Sequence, residues 1–310
     1  MDLMNFAAAA PEMTLLGLIC VVLVADLFVA PERRIVTYWL SLVSIGITLW
    51  ALVSTAPVGR VEIFSGSYVS DGLSQLLKSG VALFVAAAFV YGRGNLAAND
   101  LHKGEFYVLG LFGLLGMMIM ISANSLLTMY LGLETLALAQ YALVALDRTN
   151  VKSAESAMKY FVLGAIASGC LLYGISWIYG ATGSVEFPAI AYAILDNPDI
   201  NGLPLWFGLA FLIVGISFKF GGVPFHMWVP DVYQGARTPV TLYIGTAPKI
   251  AALALTLRIL IDGLAGLQEV WADMLMIIAV LSLLLGNFVA IAQTNIKRML
   301  AYSTIAHVGF

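Results

Sequence analysis

Apolar segments of about 20 residues follow one another along nearly the whole chain, and this pattern limits the folds open to it. An α-helix needs about 20 residues to cross the hydrocarbon core of a bilayer. Only 11% of the residues are charged, whereas soluble domains carry about 25%. The sequence therefore predicts an all-α polytopic membrane protein. About ten spans are predicted, at residues 10–30, 35–57, 72–92, 105–123, 125–146, 154–180, 203–230, 238–262, 270–291 and from 296 onwards.

The basic residues predict how these helices are oriented. If the N-terminus lies outside, the inner connections hold nine Lys and Arg residues and the outer ones hold only Arg60. Inner connections of membrane proteins carry such an excess of Lys and Arg. The Lys and Arg count therefore predicts an outer N-terminus. No basic region or processing site precedes the first apolar segment, so we expect that segment to stay as an anchor. The inner residues are Arg33, Arg34, Arg93, Lys103, Arg148, Lys152, Arg237, Lys297 and Arg298.

The seventh predicted helix contains a break. Gly221 and Gly222 weaken the helix, and Pro224 removes a backbone donor and clashes with the carbonyl of Phe220. Non-helical backbone at membrane depth is tolerated where it is buried in protein or lines a watery cavity. Pro248 is expected to loosen the eighth helix in the same way. Breaks of this kind are typical of ion sites in transporters.

Three charged side chains lie deep in the predicted spans. Glu134 is about ten residues into the fifth helix, and Lys249 is about eleven residues into the eighth, roughly 17 Å at 1.5 Å per residue. Lys219 lies just before the break in the seventh helix. A charge at the centre of a span costs about 2.5–3.5 kcal/mol, so we expect these groups to pair or to face a wet cavity. Burial disfavours a charged lysine and a nearby carboxylate favours it, so such a lysine can serve a proton relay.

Two further residues are candidates for this relay. His226 follows the break, and histidine has an ordinary pKa of about 6.5, which suits proton transfer; it could instead bond backbone groups that the break frees. Lys159 could be a second partner of Glu134, or its ammonium group could extend to the membrane surface. Glu134, Lys219 and Lys249 could likewise be purely structural ion pairs.

The remaining charged residues inside or beside the spans are expected at the membrane surface. Lys78 and Arg258 lie near helix ends and could extend to the interface. Glu12 and Asp26 lie towards the two ends of the first helix. No Rossmann glycine fingerprint, Walker loop, CxxC pair or haem-attachment motif is present, so the sequence predicts no cofactor-binding site.

Three stretches carry a resemblance to a known family. They are VPFHMWVPDVYQGARTPVT around the seventh and eighth helices, YLGLETLALAQYALVA in the fifth and SAESAMKYFVLGAIASG in the sixth. Over its whole length the chain resembles the antiporter-like, proton-pumping membrane subunits of respiratory NADH:quinone oxidoreductase (complex I). The DVYQGA and TPVT motifs favour the N type of subunit over the L and M types. Arg237 stands where the family usually has proline.

The resemblance implies a half-channel built from helices 4–8. In this family a glutamate lies on helix 5, with lysines on the broken helix 7 and on helix 8. Glu134, Lys219 and Lys249 stand at those positions, and Lys159 matches a further lysine on helix 6.

The resemblance also implies two inverted five-helix repeats. Residues 1–103 then form three N-terminal helices, 104–265 a complete first repeat, and 266–310 the start of a second. The final stretch AQTNIKRMLAYSTIAHVGF matches the family up to its last residue, so we expect the second repeat to be truncated.

For function, the resemblance implies a non-redox subunit that moves protons while other subunits carry electrons from NADH to quinone. NAD, FMN, iron–sulfur clusters and quinone then belong to the assembled complex, and this chain binds no cofactor or metal. The expected partners are the other membrane subunits of complex I, including paralogous antiporter-like ones, and lipid, but no nucleic acid. The expected location is the bacterial inner membrane, with the N-terminus on the periplasmic side. Two alternatives stay open: a subunit of a multi-subunit cation/proton antiporter, and a membrane scaffold with inert ion pairs.

Overall fold

A computed structural model gives the fold of the chain and describes residues 3–30, 33–99, 101, 103–197, 200 and 202–310. These residues form α-helices joined by short connections, with one small β-hairpin. In chain order the helices are α1 (Ala10–Phe28), α2 (Ile35–Ser54), α3 (Gly72–Ala98), α4 (Gly104–Ile121), α5 (Leu126–Val144), α6 (Val151–Thr182), α7 (Phe187–Asp196), α8 (Leu203–Phe220), α9 (Trp228–Gly235), α10 (Thr238–Gly245), α11 (Ala247–Leu257), α12 (Gln268–Ile291) and α13 (Ile296–Val308). Leu3–Ala9 and Ala265–Leu267 form 3₁₀ turns, and Arg258–Gly263 is π-helical.

Within the described residues, nine helical segments are long and apolar enough to cross a membrane, judged by length and composition. They correspond to the first nine predicted spans. The tenth predicted span corresponds to α13, which has 13 residues and is shorter than the length that a span needs. The chain is therefore a multi-pass membrane protein, as its sequence predicts.

Two of the predicted spans are interrupted. The chain leaves the helix at Phe220 and becomes helical again at Trp228, so the predicted break in the seventh helix is present. The eighth helix is interrupted at Thr246, between α10 and α11. Pro248 has no N–H to donate to the carbonyl of Ile244, and its ring crowds that carbonyl, so the interruption falls just before the proline.

A β-hairpin between α2 and α3 was not predicted. Its strands are β1 (Val61–Ile63) and β2 (Tyr68–Ser70), which pair antiparallel with Val61 opposite Ser70. Strands of three residues are too short to show the alternation of apolar and polar side chains by which a strand is recognised. Tyr68 and Ile63 pack against Ala8 and Ala9 at the start of the chain.

The chain forms two compact units, and the first comprises Met1–Asp147 and Thr238–Leu255. In this unit α1 packs on α2 and α4, α4 packs on α5, and α10 packs on α3. The contact between α4 and α5 is close because Gly116 and Gly132 have no side chains. A Cβ atom on Gly116 would lie 2.7 Å from the carbonyl oxygen of Gly132, so these glycines let the two backbones touch.

The second unit comprises Arg148–Arg237 and Thr256–Phe310. Here α6 packs on α8 and α9, while α13 packs on α9 and α12. A Cβ atom on Gly174 of α6 would lie 2.7 Å from the carbonyl oxygen of Gly208 on α8, so this helix pair also meets backbone to backbone. Small residues at such contacts are a common feature of helix packing in membranes.

Candidate functional site

Glu134 lies in the middle of α5, the helix that follows the α4–α5 turn. Ser125 caps the helix by accepting a hydrogen bond from the backbone N–H of Thr128 at 3.2 Å. The Glu134 side chain is half-buried, and Tyr130 and Tyr141 share its face of the helix because they lie four and seven residues away. The close α4–α5 packing fixes the helix that carries this carboxylate.

Lys249 lies in the first turn of α11, directly after Pro248. Its backbone N–H donates to the carbonyl of Thr246 at 3.0 Å, so a short turn bridges the interruption between α10 and α11. Tyr243 on α10 anchors this segment, because its hydroxyl donates to the carbonyl of Gly110 on α4 at 2.8 Å. Lys249 is half-buried and belongs to the first unit, as does Glu134.

Lys219 lies in the last turn of α8 and is buried, with 8% of its surface exposed. The helix ends in a Schellman motif, in which Gly222 N–H donates to the Ser217 carbonyl at 2.8 Å and Gly221 N–H to the Phe218 carbonyl at 3.0 Å. Gly221 has a φ of 79°, the left-handed conformation that glycine adopts without strain. The negative end of the helix dipole favours a cation in this last turn.

The backbone groups that the break exposes find partners inside the second unit. Val223 N–H donates to the Ser282 hydroxyl on α12 at 2.9 Å, and the Trp228 indole N–H donates to the Phe218 carbonyl at 2.8 Å. Trp228 in turn stacks on Tyr160 of α6, with ring centroids 4.7 Å apart. Protein groups therefore satisfy this part of the non-helical backbone, as its depth in a membrane requires.

His226 lies in the turn between α8 and α9 and is half-buried. Its ring centroid is 6.5 Å from that of Tyr302 on α13. Its carbonyl accepts the N–H of Val229 at 2.9 Å, which starts α9. The fixed turn therefore holds the imidazole close to α13.

Lys159 contacts two carboxylates of the second unit. Its ammonium group lies 2.8 Å from Glu155 on the same helix and 3.0 Å from Asp231 on α9. Asp231 also accepts a hydrogen bond from Arg298 of α13 at 2.6 Å. The Asp231 carboxylate therefore links α9 to α6 and to α13. Partial desolvation raises the pKa of Asp231, but hydrogen bonds from Arg298 and then Lys159 outweigh it and leave the pKa below its ordinary value. This cluster was not predicted, because 72 residues separate Lys159 from Asp231 along the chain.

The structure corrects two expectations about residues near helix ends. Lys78 does not extend to the membrane surface: it is fully buried, and its ammonium group lies 2.7 Å from Glu12, which is also buried. Arg258 is buried as well and contacts Asp262 one turn further on at 3.1 Å. Each of these buried cations is paired with a carboxylate, which compensates its charge inside the protein.

The candidate relay residues are divided between the two units. Glu134 and Lys249 belong to the first, whereas Lys219, His226 and Lys159 belong to the second. In the described part of the chain, no group of three or more His, Cys, Asp or Glu side chains is placed to hold a metal ion.

More than half of the chain matches a known protein family. Residues 123–310 match the family described as "NADH:quinone oxidoreductase/Mrp antiporter, TM". The chain belongs to this family. The matched region contains every candidate relay residue, from Glu134 to Lys249.

Curated members of the family extend the similarity to the whole chain. A protein of Thioalkalivibrio sulfidiphilus is 55% identical over 311 residues, and one of Thiobacillus denitrificans is 50% identical over 310 residues. Both are named NADH-quinone oxidoreductase subunit N. The matches include all of this chain but only 64% of each relative.

Two solved structures have a fold similar to that of this chain. A chain of respiratory complex I from Thermus thermophilus with bound aureothin is 33% identical, with a TM-score of 0.80 over 96% of this chain and 62% of that one. A chain of the Mrp complex from Dietzia sp. DQ12-45-1b is 20% identical, with a TM-score of 0.79 over 100% of this chain and 58% of that one. The second likeness is evidence for the fold alone.

Proposed function

We propose that this chain acts as a proton-translocating membrane subunit of NADH:quinone oxidoreductase. The observation that carries the proposal is the name shared by relatives that are 55% and 50% identical over the whole chain. In this proposal the chain is a non-redox subunit. NAD, FMN, the iron–sulfur clusters and quinone bind to other subunits, and electron transfer takes place there.

The chemistry of the proposal depends on charges that are costly to bury. Each of the groups Glu134, Lys219 and Lys249 costs about 2.5–3.5 kcal/mol at the centre of a span, so each needs a compensating partner. Movement of a partner changes the affinity of a lysine for its proton. Signals from the redox subunits then change the charge environment of Glu134 and of Lys219, and protons pass along Lys219, His226 and Lys249. Lys159 takes part in the same scheme through its contacts with Glu155 and Asp231.

The helix breaks support this scheme physically. Lys219 lies at a helix terminus, where the partial charge of the helix end acts on its side chain. Lys249 directly follows an interruption of its own helix. A charged side chain beside a helix break can respond to small backbone movements, and this is a recurring feature of ion sites in transporters.

The proposed setting follows from the relatives and from charge placement. The partners are the other membrane subunits of complex I, including paralogous antiporter-like ones, and the site of action is the bacterial inner membrane. The nine-to-one excess of basic residues supports a periplasmic N-terminus. We also propose the division into residues 1–103, a first repeat at 104–265 and the start of an inverted second repeat at 266–310.

A cation/proton antiporter subunit is the rival function. The chain has the fold of the Dietzia Mrp chain as well as that of the complex I chain, so the fold does not separate the two functions. The curated relatives that match the whole chain favour the complex I subunit, since both carry its name.

The proposal can be tested with the full-length subunit in the assembled complex, reconstituted into sealed vesicles. Lys219→Ala and Lys249→Ala are each compared with Lys152→Ala, which removes an exposed lysine at the start of α6. The measurement is the number of protons pumped per NADH oxidised. We expect the first two variants to pump fewer protons per NADH, while Lys152→Ala matches the native complex.

Two results would decide against the proposal. An unchanged ratio in both Lys219→Ala and Lys249→Ala would favour an inert scaffold. Proton movement driven by a Na⁺ gradient without NADH would favour the antiporter.

A further inference from the structure

The first unit contains a buried ion pair that the proposed relay does not use. Glu12 on α1 and Lys78 on α3 meet with 2.7 Å between the carboxylate oxygen and the ammonium nitrogen. The Lys78 side chain has no exposed surface and that of Glu12 has 8%. Glu12 lies in the first turn of α1 and Lys78 in the second turn of α3, and both helices are long and apolar enough to cross a membrane. The pair is therefore buried inside the protein near the ends of two spanning helices.

The hairpin supplies the third member of this cluster. The Lys78 ammonium donates to the hydroxyl of Tyr68 on β2 at 2.8 Å and lies 5.0 Å from the centre of its ring. Burial, and then the negative charge of Glu12, raise the pKa of the Tyr68 phenol above its ordinary value. The phenol consequently stays protonated, so Tyr68 can hold the ammonium group without competing for its proton.

The hairpin is held firmly in this position. The backbone N–H of Val69 donates to the Ser122 carbonyl at 2.8 Å, and that of Asn124 donates to the Ser67 carbonyl at 3.0 Å. These bonds join β2 to the turn between α4 and α5. The Tyr68 ring is thereby fixed over the ion pair, and the geometry of the cluster does not depend on a mobile loop.

Stability alone is a weak reason for such a pair. Replacing a buried ion pair with apolar residues of similar volume is often neutral or stabilising by about 1–4 kcal/mol, because desolvation offsets the attraction between the charges. Ionisable side chains within membrane-spanning segments often mark pathways for ions or protons. A carboxylate and an ammonium at 2.7 Å are also close enough for a proton to pass directly between them.

We propose that Glu12 and Lys78 form a proton-exchange site that is separate from the relay of Glu134, Lys219 and Lys249. The inference rests on the proposed proton translocation and adds a site to it. In the exchange, an N–H bond of Lys78 breaks and an O–H bond forms on Glu12, while the bonding electron pair stays on nitrogen as the lone pair of the amine. Both carboxylate oxygens of Glu12 are buried, so water must enter the cluster for Glu12 to give the proton up. The reverse steps reload the pair.

The test uses the full-length subunit in the assembled complex, reconstituted into sealed vesicles. The double variant Glu12→Gln/Lys78→Met removes both charges at nearly constant volume and leaves no orphan charge. The matched control is Arg60→Gln/Glu62→Gln, which removes an exposed ion pair from the same hairpin region. We expect the Glu12/Lys78 double variant to lose part of the protons pumped per NADH while NADH oxidation continues, and the control to keep the native ratio.

The outcomes separate this inference from the function on which it rests. A native proton ratio in the Glu12/Lys78 double variant, together with a reduced ratio in Lys219→Ala, overturns the exchange site alone. Native ratios in both overturn the proposed function as well. If the double variant does not assemble, Tyr68→Phe decides, because it keeps both charges and removes only the hydroxyl. A native ratio in Tyr68→Phe would then overturn the exchange site.

Discussion

At the residue scale, the buried Lys78 and Glu12 side chains each depend on the charge of the other for stability. Lys78→Met leaves the Glu12 carboxylate buried without its cation, which costs about 3–5 kcal/mol of unfolding free energy. Glu12→Gln/Lys78→Met removes the orphan charge, so we expect it to lose much less. Denaturant titration of the purified full-length subunit in detergent measures both values. Equal losses in the single and double variants would show that the charge pair does not determine the stability here.

Asp231 gives a prediction about pH. Its pKa is lowered in the folded chain, so its contribution to stability is complete above its ordinary pKa of 3.8 and is lost as the pH falls through the lower folded value. Asp231→Asn should therefore unfold at a lower temperature than the native chain at pH 7. The contact with Arg298 is partly exposed and accounts for about 0.2–1 kcal/mol of this difference.

The pH dependence of that difference is the informative measurement. Melting curves of the native chain and Asp231→Asn should converge as the pH falls below 3.8, because protonated aspartate no longer attracts Arg298. A difference in melting temperature that stays constant from pH 7 to the acid limit would contradict this account. Thr149→Ala, at an exposed position before α6, supplies a variant for which no pH-dependent difference is expected.

At the element scale, the end of α8 depends on a residue with left-handed backbone. Gly221→Ala places a Cβ atom at a φ of 79°, which costs about 1–2 kcal/mol. Gly80→Ala is the matched control, since Gly80 lies inside α3 and a Cβ atom there meets nothing within 4 Å. We expect Gly221→Ala to lower the unfolding free energy and Gly80→Ala to leave it equal or higher. Equal effects of the two changes would mean that the helix end is not held by this cap.

Some elements of the structure could be predicted from the sequence alone, and others could not. Spans and the break after Lys219 depend on local properties, namely apolar length and the backbone chemistry of glycine and proline, so they were predictable. The hairpin was missed because three-residue strands show no periodicity. The pairs of Lys78 with Glu12 and of Asp231 with Arg298 were missed because helix packing, which no local pattern encodes, brings these side chains together.

At the scale of the whole molecule, the proposed orientation puts the hairpin region outside and the start of α6 inside. In a full-length chain with Cys20 and Cys170 replaced by alanine, Val58→Cys and Lys152→Cys each introduce one thiol at an exposed position. A membrane-impermeant maleimide added to intact spheroplasts should label the thiol at 58 and not the one at 152. Inverted vesicles should give the opposite pattern. Labelling at 152 in spheroplasts would place the N-terminus inside.

The central claim is that the buried charges change their proton occupancy while the complex works. Infrared difference spectra of the assembled complex, recorded on addition of NADH, measure this directly at Glu134. We predict a change in the carboxylic-acid band of the native complex that is lost in Glu134→Gln and kept in Glu62→Gln, which alters an exposed carboxylate. Identical spectra from the native complex and Glu134→Gln would contradict the claim.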